Sequence, residues 1–93
     1  MLYLISYDIS IDRRRTRVAK ILTGFGQRVQ YSVFECDLDT NQYQALWRKL
    51  ARTIQPDEGD SLRIYRLCAT CTTTINVIGR GPPVETSPQI YIF

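Results

Sequence analysis

Asp8 ends an apolar run, Met1 to Tyr7, and is followed closely by Arg13, Arg14, Arg15 and Arg17. A carboxylate beside clustered guanidinium groups suits two chemistries. It can ligate Mg²⁺, which commonly keeps most of its waters and takes one or two protein carboxylates plus substrate phosphate. It can instead be a structural carboxylate on the approach to a helix, or its cap. One Asp per chain is a small donor set, and a two-fold axis would supply a second. The sequence contains no His, which excludes a Ser-His-Asp triad, a His acid-base pair and any His-ligated metal. Carboxylates, a metal ion, Tyr or Arg must carry any chemistry.

Lys and Arg together number 12, and all but Lys20 and Lys49 are Arg, whose planar fork matches phosphate oxygens. Four of them crowd the first turns of an expected helix, where the macrodipole favours anions and each cation costs about 0.3–1 kcal/mol. On a helical wheel Arg14 falls near the Val18/Phe25 stripe, Arg15 and Arg17 flank it, and Arg13 points outward with Lys20. The alternative is a solvated face partly neutralised by Asp8 and Asp12. The Arg bias, the dipole conflict and the nearby carboxylate favour phosphate contact, because local rules broken without local compensation tend to mark function.

Two further motifs carry less. Cys68-Ala-Thr-Cys71 has Cys-x-x-Cys spacing, but zinc needs four ligands and a redox pair needs a helix N-terminus beside it. With Cys36 the only other thiol and no His, packing residues are the expectation. Gly24-Phe25-Gly26 resembles the core of the RNA-recognition motif, yet it lacks the preceding basic residue and the following aromatics. It is expected to cap a helix.

The elements that must position these residues follow from periodicity. Leu2 to Ile9 is β-branched, aromatic and free of Gly and Pro, which predicts a central strand. Asp12 is expected to cap a helix from Arg13 to Thr23, with Val18, Ile21, Leu22 and Phe25 on one face. In Gln27 to Leu38 the alternation changes phase: Val29, Tyr31 and Val33 share one parity, while Phe34, Cys36 and Leu38 share the other. That slip requires a bulge or a tight reversal near Tyr31 to Phe34. Thr40 is expected to cap a second helix carrying Tyr43, Leu46, Trp47, Leu50, Ala51 and Ile54. Ser61 to Cys68 reads as a strand and Ile75 to Ile78 as a short one. Beyond a Gly/Pro connector, Gln89 to Phe93 is too apolar for a frayed tail and should pair with something.

Strand, helix, two short strands, helix, strand is the ferredoxin-like split βαβ order of an α+β fold, here with an added C-terminal strand. The expected division is a ferredoxin-like domain over residues 1–79 and a connector plus strand over 80–93. A chain of 93 residues buries only about two-thirds of the surface its unfolded form exposes, so a deep private active site is not expected. Three Cys, an odd number, point to a reducing compartment, and the cytoplasm is the expected location. The opening apolar run is too short for a membrane span and has no basic flank for a signal peptide.

Tyr7-Asp-Ile-Ser10 with the Arg cluster, and Gln27-Arg-Val-Gln-Tyr-Ser-Val-Phe-Glu-Cys36, resemble the small CRISPR-associated proteins of the Cas-two family, over Met1 to about Gly79. The resemblance implies a ferredoxin-like homodimer that acts in spacer acquisition with the Cas-one integrase. It also implies a metal-dependent endonuclease acting on single-stranded RNA or duplex DNA, with Mg²⁺ or Mn²⁺ as cofactor. Carried over by position, Asp8 is the metal ligand and shares the catalytic role with Tyr7. Arg15, Arg17 and Arg28 contact nucleic acid, and Phe34 supports them. Gln89 to Phe93 is similar to the strand family members lay across the partner subunit. Arg13 and Arg14 receive no role. A non-catalytic scaffold that presents DNA through Arg-phosphate contacts is the competing function.

Overall fold

Leu2–Asp8 forms β1 at the centre of a four-stranded sheet, in the computed structural model that describes residues 1–84. Its side chains alternate between two faces. Tyr3, Ile5 and Tyr7 point into one buried cluster with Val18, Leu22, Phe34, Cys36, Leu46 and Leu50. Leu2 lies on the other face and is buried outside that cluster. β1 pairs antiparallel with β3 (Val33–Asp37) on one side and β4 (Ser61–Leu67) on the other, and β2 (Gln27–Gln30) extends the sheet beyond β3. The expected strand order is borne out.

The helices α1 (Asp12–Thr23) and α2 (Thr40–Thr53) cover the Tyr3/Ile5/Tyr7 face through Val18 and Leu22, and through Leu46 and Leu50. Each fully buried Leu or Phe of this cluster contributes about 1.5–3 kcal/mol. A single 3₁₀ turn, Pro56–Glu58, leads into β4, and a one-turn helix, α3 (Ala69–Thr72), leaves it. No helix among the described residues is long and apolar enough to cross a membrane.

The phase slip resolves into both devices it required. Tyr31 and Ser32 form the turn between β2 and β3, and Val29 is the bulged residue, since Arg28 faces Phe34 while Gln30 already faces Val33. Both expected helix caps shift by one residue. Ile11 stands at the N-cap of α1 with no side-chain bond, because Asp12 lies in the first turn with its carboxylate engaged by the Arg15 guanidinium. Asp39, not Thr40, caps α2: its carboxylate accepts from the Gln42 N–H at 2.7 Å, and the Gln42 side chain accepts from the Asp39 N–H at 2.9 Å. This reciprocal box satisfies two donors that a lone Thr would leave half served.

Three expectations are corrected. Trp47 is 53 % exposed and Ala51 is exposed as well, since only one narrow face of α2 meets the sheet. Ile75–Ile78 is not a strand and forms no backbone ladder with the described strands. It runs instead beside β2 and β3, lining a groove with Val29, Gln30 and Glu35, while the Gln27 amide donates to the Pro83 carbonyl at 2.8 Å. Cys68 and Cys71 are exposed rather than packed. The strand expected over residues 89–93 lies outside the described residues.

Gly24 is the C-cap of α1, as expected, and Gly26 is required by close approach. A Cβ there would stand 2.3 Å from the Glu35 carbonyl oxygen and 2.5 Å from the Cys36 sulfur. Gly26→Ala therefore forces β3 away from the end of α1, and overpacking of this kind costs about 1–3 kcal/mol. Thermal melts should show Tm lower by roughly 5–15 °C. A melt within about 1 °C of wild type would mean that the strand yields freely.

Candidate phosphate and metal site

The parity of β1 divides the expected site residues between two faces. Tyr7 points toward the helices, is buried, and stacks on Phe34 with ring centroids 6.3 Å apart. Arg28 faces Phe34 across β2 and β3, with its guanidinium carbon 5.3 Å from the Phe34 centroid and one NH group donating to the Tyr7 hydroxyl at 3.5 Å. The aromatic face holds a planar cation in place without consuming its N–H donors. The donors not given to Tyr7 stay available to an anion.

Arg15 reaches the same place from α1, but its fork is largely committed. It donates to the Ile9 carbonyl at 2.9 Å and the Ser10 carbonyl at 3.4 Å, and to the Asp12 carboxylate. Asp12 holds the Arg15 pKa above its ordinary value, so the cation is permanent. Arg15 thus fixes the β1–α1 connection and adds positive potential. Tyr7, Arg15, Thr16, Ala19, Arg28 and Tyr31 line one cleft of about 300 Å³. The sequence pointed to neither Thr16 nor Tyr31 as part of it. The signal for Tyr31 was available, since it stands at the reversal that the phase slip demanded.

Arg17 is exposed on α1 and is not among the residues that line this cleft. Arg14 has a different task. Its Nε donates to Asp60 Oδ2 at 2.5 Å and an NH group to Oδ1 at 3.0 Å, and Glu58 lies 3.3 Å away. That pair clamps α1 to the loop entering β4, so Arg14 is not a phosphate ligand.

Asp8 projects from the opposite face of the same strand end. It is exposed, stands across the ladder from Ser61, and has no hydrogen-bond or ion-pair partner among the described residues. It does not cap α1. One chain therefore brings Tyr7, Arg15, Arg28 and Phe34 together and leaves Asp8 and Arg17 apart from them. No group of three metal-ligating side chains occurs among the described residues. A single carboxylate suits Mg²⁺ only where waters, a substrate phosphate or a second copy supply the other donors.

The family model described as CRISPR associated protein Cas2 matches residues 1–75. The chain belongs to the Cas2 family. A relative from Chloroflexus aurantiacus named CRISPR-associated endoribonuclease Cas2 1 is 62% identical over 92 residues, covering 99% of each chain. Among solved structures, the hypothetical protein TT1823 from Thermus thermophilus superposes with TM-score 0.78 at 40% identity, covering 90% of this chain and 96% of that one. The Cas2-like fold also matches a chain of a partial Cas6-RT-Cas1–Cas2 complex, with TM-score 0.72 at 28% identity, covering 90% of this chain and 97% of that one. The ferredoxin-like fold and the family resemblance read from the sequence are borne out.

Proposed function

We propose that this Cas2 chain is a metal-dependent endonuclease that works as a homodimer beside a Cas1 integrase in CRISPR spacer acquisition. The observation that carries the nuclease reading is the Asp8 carboxylate. It is exposed at a strand end, performs no capping and pairs with nothing among the described residues, so its charge is left for a ligand. The name endoribonuclease on a 62% identical relative favours RNA as the substrate, and the complex containing Cas1 and Cas2 supports the partner.

The layer arrangement supports the homodimer reading. Both long helices cover one face of the sheet, while the other carries Leu4, Val33, Tyr65 and Leu67, with Tyr65 48 % exposed. Sheets bury such faces against another layer. A two-fold axis across that face near Asp8 gathers two carboxylates, which is the donor set the single chain lacks. When bound there, Mg²⁺, or Mn²⁺ with the same preference for oxygen donors, lowers the pKa of a bound water and neutralises charge on the phosphodiester. Arg28 binds phosphate in the cleft, Tyr7 and Phe34 hold Arg28, Arg15 keeps the β1–α1 connection in place, and Arg17 adds a contact along the strand.

The separation of the Arg28 cleft from Asp8 on opposite faces favours a second reading, in which the dimer is a basic scaffold and cleavage is incidental. Binding tests the cleft under either reading. Replacing Arg17 and Arg28 by Ala should reduce the slope of log affinity against log salt for single-stranded RNA by about 1.4, since each phosphate contributes roughly 0.7. A folded double variant with an unchanged slope would return both residues to the solvated surface.

A further inference from the structure

Cys68 and Cys71 are left unused by this reading, and they are not packing residues. Cys68 stands at the N-cap of α3, directly after β4, and its sulfur accepts from the Cys71 N–H at 3.3 Å. One helical turn places side chains three apart next to each other. Both thiols are exposed, one turn apart. The turn is also held rigidly. Thr72 Oγ1 donates to the Cys68 carbonyl at 3.0 Å, Thr73 Oγ1 to the Thr70 carbonyl at 2.6 Å, and Thr74 Oγ1 to the Cys71 carbonyl at 2.7 Å. The threonine run after the motif therefore holds the backbone of the turn on which both thiols sit.

We propose that Cys68 and Cys71 form a reversible dithiol/disulfide site that exchanges with low-molecular-weight disulfides of the glutathione class. The Cys68 thiolate attacks one sulfur of the disulfide, forming a mixed disulfide and expelling one thiolate. The Cys71 sulfur, losing its proton to solvent, then attacks the Cys68 sulfur. The Cys68–Cys71 bond forms, the mixed disulfide breaks, and a second thiolate leaves. The protein loses two electrons and two protons, and the small disulfide becomes two thiols. The order follows from the environment: the Cys71 N–H bond to its sulfur lowers the Cys68 pKa, while the neighbouring Cys68 side chain raises that of Cys71. The bridge fixes the turn through which β4 passes into the segment lying beside β2 and β3.

The test equilibrates the full-length protein in reduced and oxidised glutathione, quenches with acid, alkylates the remaining thiols and weighs the peptide containing residues 68 and 71. The expected product has lost two hydrogens and carries no glutathione, while Cys36, which is buried, is alkylated only after unfolding. Cys71→Ser should accumulate glutathione on Cys68. Cys68→Ser, which retains a capping oxygen, should react several-fold more slowly at Cys71. Two glutathiones on the wild-type peptide without a bridge would overturn the proposal, as would equal rates in the two variants. Stoichiometric zinc that protects both thiols would also overturn it, in favour of a metal site between copies.

Discussion

Asp8→Asn should abolish Mg²⁺-dependent cleavage of RNA while leaving the protein folded and bound to its substrate. The substitution keeps the size and hydrogen-bonding capacity of the side chain and removes only the charge. Because Asp8 is exposed and has no partner among the described residues, no fold interaction is lost with it, and Tm should stay within about 1 °C. Altering groups that merely support a metal ligand costs about 10–100-fold. Loss of the ligand itself should therefore exceed roughly 10²-fold in cleavage rate. RNA affinity should hold or rise slightly, since a negative charge near the phosphates is gone, and sedimentation should be unchanged. Cleavage that persists in the variant, or that ignores a chelator in wild type, would place the chemistry elsewhere. Spacer acquisition in cells, measured on the same variant, separates the two functional readings. Acquisition that falls with cleavage supports the nuclease, and acquisition at wild-type level supports the scaffold.

The residues of this site differ in how visible they were beforehand. Asp8 was legible because a carboxylate that ends an apolar strand is a break in pattern, and the strand order followed from period and punctuation alone. The hairpin was legible from the parity change between Val33 and Phe34, which no straight strand can carry. The division of Tyr7 and Asp8 between opposite faces was implicit in the same period of two. What stayed hidden were matters of which partner a side chain chooses. Arg14 and Arg15 are adjacent and alike in sequence, yet one locks onto Asp60, 46 residues away, and the other onto nearby carbonyls. Helical spacing placed Trp47 on the apolar stripe, but the width of the buried face depends on how closely α2 lies on the sheet. The exposure of Cys68 and Cys71 depended on a single turn too short to have a periodic signature.

The Arg14–Asp60 pair should be the most costly polar contact in the molecule to break from one side. The Asp60 side chain is fully buried and that of Arg14 is 13% exposed. Besides the two Arg14 bonds, Asp60 Oδ2 accepts from the Gln55 N–H at 2.9 Å, so the carboxylate serves three donors at once. Asp60→Ala leaves the Gln55 N–H unpaired and the Arg14 guanidinium with only the exposed Glu58, in a site from which water is largely excluded. Tm should fall by roughly 10–20 °C. Cleavage should fall too, because Asp60 anchors the loop just before Ser61, the ladder partner of Asp8. The pH dependence has a definite sign. Hydrogen bonding from Arg14 holds the Asp60 pKa below the usual carboxylate range. The stability from this group is therefore complete above about pH 4, where an unfolded Asp is ionised, and is lost as pH falls through the lower folded value. The Tm difference between wild type and Asp60→Ala should narrow on acidification and not between pH 6 and 8, where this carboxylate stays ionised in both states (roughly, from its ordinary range). Replacing both partners, as Arg14→Met with Asp60→Leu, removes the stranded charge and should recover most of the lost Tm, since apolar replacement of a buried ion pair is often neutral. A double variant as unstable as Asp60→Ala alone would show that the clamp acts through the Gln55 bond and loop geometry rather than through the ion pair.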